Sequence, residues 1–238
     1  GHLQKNFLPQ KFTDVKGWEL SAALQPALET SGDFYDLFRL ADGKIAILIA
    51  DVVDKGVSAA LLMVLTWALL RERIQSLPDQ PEAIFSEVNQ RILSILQDLE
   101  YVTAFLGILT PQTGKLFYAN AGHNPPIIFQ SREKGILQLN RTGMPLGLLE
   151  EAQWTQATAE LNIGDVLILY TDGLTEACNP LGEFAGLDRL INCVQPVIHH
   201  RADDIKIHIE NELQTFLSNH PPQDDMTLMV VKRVAEHK

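Results

Sequence analysis

A chain of 238 residues with 46% apolar side chains is long enough to bury one sizeable core. Its 19 Lys and Arg against 30 Asp and Glu leave a net charge of -11, which argues against a basic nucleic-acid surface and suits a cation site. Cys178 and Cys193 lack CxxC spacing, so neither a disulfide framework nor a zinc site is suggested, and a reducing cytoplasm is the expected location.

In chain order, Gly1-His2 reads as a cloning remnant and residues 3–8 as the tail of a helix stopped by Pro9. Those first residues are expected to end a linker from an upstream segment, and 9–238 to form one domain. Residues 18–24 alternate like a strand, and 34–41 and 44–51 around Asp42-Gly43 read as a hairpin. A helix is expected over 58–75 with Ser58 as its N-cap, and a second after Pro81, where Ile84, Val88, Ile92, Ile95 and Leu96 recur at helical spacing. The apolar run 59–70, broken only by Thr66, is too short to span a bilayer, and no secretory leader opens the chain.

From 101 to 130 the pattern predicts an antiparallel meander: strands at 102–109, 115–121 and 126–129, joined by short turns. Further strands are expected within 136–140, around 154–161 and over 166–171. Helices at 187–197 and 203–217 precede a last strand at 226–234. Strands outnumber helices and the helices come in pairs. That order suits an α+β fold of antiparallel sheets packed together and covered by helices better than a βαβ parallel sheet.

Acidic residues stand where apolar runs break off: Asp33 with Asp36, Asp51 with Asp54, Asp172 before Gly173, and Asp224 with Asp225. Asp51 ends an Ile-Ala-Ile-Leu-Ile-Ala run and Asp172 a Val-Leu-Ile-Leu-Tyr-Thr run, so both should emerge at the rim of a sheet. Rim carboxylates that converge repel one another, and hard oxygen ligands are what magnesium, manganese or calcium requires. Singly, Asp172-Gly173 reads as a turn, Asp224-Asp225 as loop solvation and Asp33 as a turn acceptor. Their conjunction carries the metal reading.

The segments Ser31-Gly32-Asp33-Phe34-Tyr35-Asp36, Asp51-Val52-Val53-Asp54-Lys55-Gly56, Ala119-Asn120-Ala121-Gly122-His123-Asn124-Pro125-Pro126, Tyr170-Thr171-Asp172-Gly173-Leu174-Thr175-Glu176-Ala177 and Asp224-Asp225-Met226-Thr227 resemble, in order, the motifs of the metal-dependent PPM-type serine/threonine protein phosphatases, in their bacterial RsbU/SpoIIE branch. The resemblance runs from about Leu3 to Arg233. It implies a four-layer β-sandwich of two antiparallel sheets flanked by helix pairs, and two divalent cations, manganese or magnesium. By the same resemblance Asp51 bridges both cations and the Val52 carbonyl is a further ligand, Asp33 serves the first cation, and Asp172 and Asp224 complete the second. Ser31 stands where the family usually has a second glycine, and Asp54 where it often has a small residue. The backbone around Asp51 is the place where that departure should be felt, since Asp accepts positive φ less readily than Gly. Asp36 and Asp225 are open as ligands or as neighbours of ligands.

Two cations about 3.5–4 Å apart lower the pKa of a bridging water, and the hydroxide attacks phosphorus in line. No protein nucleophile is then needed, and none of the phosphatase-type cysteine signatures occurs. Lys55 is a candidate to bring positive charge to the phosphate, although a loop lysine is more commonly just solvated. His123, within Gly-His-Asn-Pro-Pro, is expected to hydrogen-bond backbone groups rather than to catalyse.

The reading is a serine/threonine phosphatase acting on a regulatory protein, by resemblance a STAS-domain anti-sigma-factor antagonist in bacterial partner switching. A non-catalytic pseudophosphatase would have lost an aspartate, and a two-metal phosphodiesterase would want a basic groove. By the same resemblance an upstream sensor domain is expected to feed in through a helix; residues 3–8 and the very apolar helix after Asp51 both want cover, and a homodimer through the N-terminal helix is one way to supply it. No nucleic-acid partner and no membrane span are expected.

Overall fold

The computed structural model describes residues 9, 15–95, 100–133, 135–218 and 220–235; the helix expected at 3–8 lies outside them. The chain divides into two units that are each discontinuous in sequence. Leu28–Pro125 and Leu139–Glu160 belong to the first, Asp14–Ala27, Pro126–Gln138 and Leu161–Lys238 to the second.

In the first unit, β2 (Phe34–Arg39), β3 (Ile45–Val52), β4 (Val102–Thr110), β5 (Lys115–Ala121) and β8 (Ala157–Glu160) form an antiparallel sheet in that spatial order. The β2–β3 turn is the expected one: the Gly43 amide donates to the Leu40 carbonyl at 2.9 Å, with Gly43 at φ 86°. Every residue from Ile45 to Ala50 is buried. Both faces of β3 are therefore dry, which is why its sequence is a continuous apolar run and not an alternating one. One face carries α1 (Val57–Ser76) and α2 (Pro81–Ile95). Ala59, Leu62, Met63, Leu70 and Ile74 of α1, and Ile84, Phe85, Val88 and Ile92 of α2, join Ala46, Leu48, Leu106 and Ile108 in one core. Burying a Leu, Ile or Phe contributes about 1.5–3 kcal/mol, so this layer rather than helix propensity holds α1 and α2. On its other side α1 leaves Val57 and Leu61 exposed.

In the second unit, β1 (Trp18–Gln25), β10 (Met226–Arg233), β9 (Val166–Tyr170), β6 (Ile127–Phe129) and β7 (Ile136–Gln138) form the other antiparallel sheet, again in spatial order. Three helices belong to this unit: α3 (Asp172–Thr175), α4 (Gly186–Val194), which runs on into a 3₁₀ turn Gln195–Val197, and α5 (Ala202–Phe216). Leu190 and Val194 of α4 and Ile205 and Ile209 of α5 pack with Ile168, Tyr170, Leu228 and Val230. The α+β class, with two antiparallel sheets that carry helices, is the one expected.

Three local expectations change. The meander does not stay in one sheet: β4 and β5 pair, but β6 pairs with β7 and β9 in the second unit. The chain leaves β5 through Gly122 at φ 70°, where a Cβ would stand 2.5 Å from the Pro145 ring. Only glycine fits there. Ser58 is not the N-cap of α1; Gly56 takes that place at φ 85°, and the Ser58 hydroxyl donates to Glu100 at 3.0 Å instead. Finally, β3 runs one residue past Asp51; Asp172, which reads as a turn only when taken singly, opens the short helix α3.

One buried charge ties α1 to the sheet. Asp36 on β2 is 1% exposed, and its carboxylate accepts from Arg71, from the Trp67 indole at 3.0 Å and from the Leu37 amide at 2.8 Å. The guanidinium also lies over the Phe38 ring, 4.4 Å from its centroid. Burial lifts the Asp36 carboxyl above the usual carboxylate range, with Arg71 acting against that rise. Arg71→Leu should therefore cost about 3 kcal/mol at neutral pH, lowering the melting temperature by roughly 6–12 °C, because it strands a buried carboxylate. A raised folded pKa means that the folded state holds the proton to higher pH than the unfolded chain. The loss relative to the parent should then shrink as pH falls toward about 4, and denaturation at pH 8 and pH 5 measures it.

Candidate metal centre

Asp33 and Asp51 are brought side by side by strand register. The pairing that sets Phe34 opposite Ala50 carries Asp33 to the level of Asp51 at the end of the β2–β3 hairpin. Asp33 is 2% exposed, and its amide donates to the Ser31 hydroxyl at 3.1 Å. The serine that replaces a glycine in this motif thus helps to set the turn before β2. Next to it, a Cβ at Gly32 would stand 3.0 Å from the Val52 carbonyl oxygen and 3.6 Å from Ala59. Glycine at 32 thus lets the turn before β2 lie close against the Val52 carbonyl.

The loop that follows is bent by two residues with positive φ, Asp54 at 74° and Gly56 at 85°. Asp54 does take the left-handed conformation, and its own carboxylate accepts the Lys55 amide at 2.8 Å. A short acidic side chain is among the few that tolerate this region. The departure at Asp54 costs some strain without displacing Asp51.

Asp172 and Asp224 are brought together in the second unit by a different device. Thr171 bonds on both sides: its amide donates to the Thr227 carbonyl at 3.1 Å, and its hydroxyl accepts the Thr227 amide at 3.0 Å. This clasp ties the end of β9 to the start of β10. A Cβ at Gly173 would fall 2.0 Å from the Asp225 carbonyl oxygen, so Asp172 can approach the Asp224-Asp225 turn only because glycine follows it. The Asp224 carboxylate accepts the Asp225 amide at 2.8 Å, and the Asp225 carboxylate accepts the Ala27 amide at 2.8 Å, holding the chain just past β1.

Each unit therefore sets one aspartate pair at strand ends, and no group of three or more His, Cys, Asp or Glu that could hold a metal ion occurs among the described residues. The donors in the two pairs are carboxylates plus one backbone carbonyl, the hard oxygen set that magnesium and manganese prefer, so they fit such ions. Asp36 is engaged by Arg71 and Trp67 and serves as an anchor for α1. Lys55 has an exposed side chain. His123 is 1% exposed; its Nδ1 lies 2.9 Å from the Thr103 hydroxyl, and Thr103 is the cross-strand partner of Asp51. Its amide donates to the Asn120 side chain at 2.8 Å and its carbonyl accepts from Arg141 at 3.2 Å, so this histidine braces the β5 exit. Thr171 and Thr227 lie within the motifs read from the sequence but without a role there, and Thr103 and the Trp67–Arg71 pair were not singled out at all. Only register could reveal them.

The sequence profile of the Stage II sporulation protein E (SpoIIE) family matches residues 41–234. Protein IcfG of Synechocystis sp. is 33% identical over 260 residues, covering 97% of this chain and 40% of IcfG. Phosphoserine phosphatase RsbU of Bacillus subtilis is 26% identical, covering 98% of this chain and 68% of RsbU. Among solved structures, the RsbU and RsbW domains of Rv1364c from Mycobacterium tuberculosis superpose with a TM-score of 0.79 at 26% identity, covering 94% of this chain and 62% of that one. The SiaA-PP2C domain of Pseudomonas aeruginosa gives 0.79 at 22% identity over 90% of this chain and 85% of that one, a likeness of fold.

Each member of the last motif accepts a backbone amide at 2.8 Å, Asp224 that of Asp225 and Asp225 that of Ala27. By the motif resemblance Asp224 is the ligand and Asp225 its neighbour. Asp224→Asn should therefore weaken manganese binding at least about tenfold more than Asp225→Asn, read by calorimetric titration of both variants. Equal losses would place Asp225 among the donors.

Proposed function

The chain belongs to the SpoIIE family and has the PP2C phosphatase fold, and on that premise we propose that it is a phosphoprotein phosphatase that releases phosphate from phosphoserine or phosphothreonine of a regulatory partner. The observation that carries this reading is the pair of strand-end aspartate sites, each beside a glycine that lies against a backbone carbonyl: Gly32 against Val52, where a Cβ would be tight, and Gly173 against Asp225, where none fits. By the family resemblance the protein takes two cations, manganese or magnesium; Asp33, Asp51 and the Val52 carbonyl would serve as ligands from the first unit, and Asp172 and Asp224 from the second. Bound there, the cations supply positive charge against the phosphoryl oxygens and an acidified water as nucleophile.

The protein's own part is placement. Ser31 and the Thr171–Thr227 clasp fix the carboxylates before any ion arrives, which lowers the ordering cost of binding. Lys55, on the loop after Asp51, would bring positive charge to the incoming phosphate. The partner that suits this family is a STAS-type anti-sigma-factor antagonist. An upstream sensor, joined through the helix expected at 3–8 and paired in a homodimer, would cover Val57 and Leu61 of α1. Cytoplasmic location follows from such a partner, and no helix among the described residues is long and apolar enough to cross a membrane.

Hydrolysis of a phosphoserine peptide should require added manganese or magnesium and stop in excess chelator. Asp51→Asn should lower it by at least about a hundredfold, since by the family resemblance this ligand serves both ions. Undiminished turnover in chelator would overturn the two-cation reading. A chain carrying the native upstream segment should show a higher rate and tighter manganese binding than this one at equal concentration; equal values in both would make the N-terminal helix a passive tether.

A further inference from the structure

The second unit carries a cleft of about 630 Å³, bounded by the end of β1, by α5 and by the segment leading into β10. That volume is within the range of about 300–1,000 Å³ typical of ligand pockets. Its floor is apolar, with Ala23, Ile209, Leu213 and Leu228. Around it stand Gln25, Asn211 and Gln214, three exposed primary amides able both to donate and to accept. Glu210 also lines it; burial lifts its carboxyl above the usual range, with nearby Lys206 opposing the shift.

Two walls of the cleft are continuous with the aspartate pair. Leu174 is two residues beyond Asp172 in α3, and Pro222 and Met226 flank Asp224 by two residues on either side. The Ala27 amide, bonded to the Asp225 carboxylate, fixes the corner where β1 meets that turn. Whatever occupies the cleft is thus held beside the residues proposed to bind the phosphate-cleaving cations.

We propose that this cleft docks a segment of the phosphoprotein substrate next to its phosphoserine, one that presents a bulky aliphatic side chain followed by Lys or Arg. The proposal rests on the phosphatase reading above. The aliphatic group enters the apolar floor, the three amides meet the peptide backbone, and the basic group pairs with Glu210. A peptide suits these features because amides around an open cleft can match main-chain N–H and C=O groups in turn. The chain's net charge of -11 further favours a basic segment.

Two fluorescein-labelled phosphoserine decapeptides test it, one with Leu-Arg beside the phosphoserine and one with Ser-Ser. Anisotropy in chelator reads docking without turnover. The parent chain should bind the Leu-Arg peptide at least about tenfold more tightly, and Gln214→Arg, which sets a cation at the cleft, should abolish that preference. Glu210→Gln should lower it about threefold or more. With manganese, the same ratios should appear in kcat/KM, while p-nitrophenyl phosphate, too small to reach the cleft, should turn over equally in parent and variants. Equal binding of the two peptides by the parent, or a preference that survives both variants, overturns the proposal. So does a cleft that takes up octylamine but discriminates neither peptide. Selective binding by a chain that hydrolyses no phosphate ester with manganese would leave the docking cleft standing and defeat the phosphatase reading instead.

Discussion

Carboxylates at the end of a buried strand face two demands: the strand must be dry to hold its position, and the charges at its tip must be close without a side chain between them and their ligand. In this protein the second demand is met by glycine. Gly32 lies against the Val52 carbonyl and Gly173 against the Asp225 carbonyl, at separations where a methyl group would collide or cover the oxygen. The rest of each unit can be understood as support for those two contacts. The buried run Ile45 to Ala50 anchors one, and the β9–β10 ladder with its Thr171–Thr227 clasp anchors the other.

Aspartates near the proposed ligands have a different task. Asp36 and Asp225 look interchangeable with Asp33 and Asp224 in sequence, yet Asp36 is bonded to Arg71 and Trp67 of α1, and Asp225 to the Ala27 amide just past β1. Each binds a neighbouring element to the strand that bears the site. A buried carboxylate without such a partner is costly, so these bonds offset the burial of Asp36 and Asp225. The same economy applies to His123, which spends its contacts on Thr103, Asn120 and Arg141 and so braces the exit from β5.

Much of this architecture was legible in the chain. The hairpin around Asp42-Gly43, α2 beginning at Pro81, and β5 over 115–121 follow from turn chemistry and periodicity that act over a few residues. Cap identity was less so: Ser58 is a good N-cap by type, but the chain enters α1 through a positive φ that glycine supplies, and the cap position moved to Gly56. The sheet change after β5 was hidden because β6 has the same apolar character whichever sheet it joins. Burial alone does not name a strand's neighbour.

By itself the sequence determined the α+β class, the two helix pairs, and the four aspartates Asp33, Asp51, Asp172 and Asp224 as candidates, because each of these depends on local spacing or on an ordered set of motifs. Tertiary structure alone decided that Asp36 bonds to α1 and Asp225 to the Ala27 amide, that Asp54 carries a left-handed backbone, and that threonines 103, 171 and 227 hold the segments behind the site. The physical reason is one of range. Hydrogen bonds such as those of Asp36 with Trp67 or Asp225 with Ala27 join residues separated by 31 and 198 positions, and no local pattern in the chain records which distant partner will arrive there.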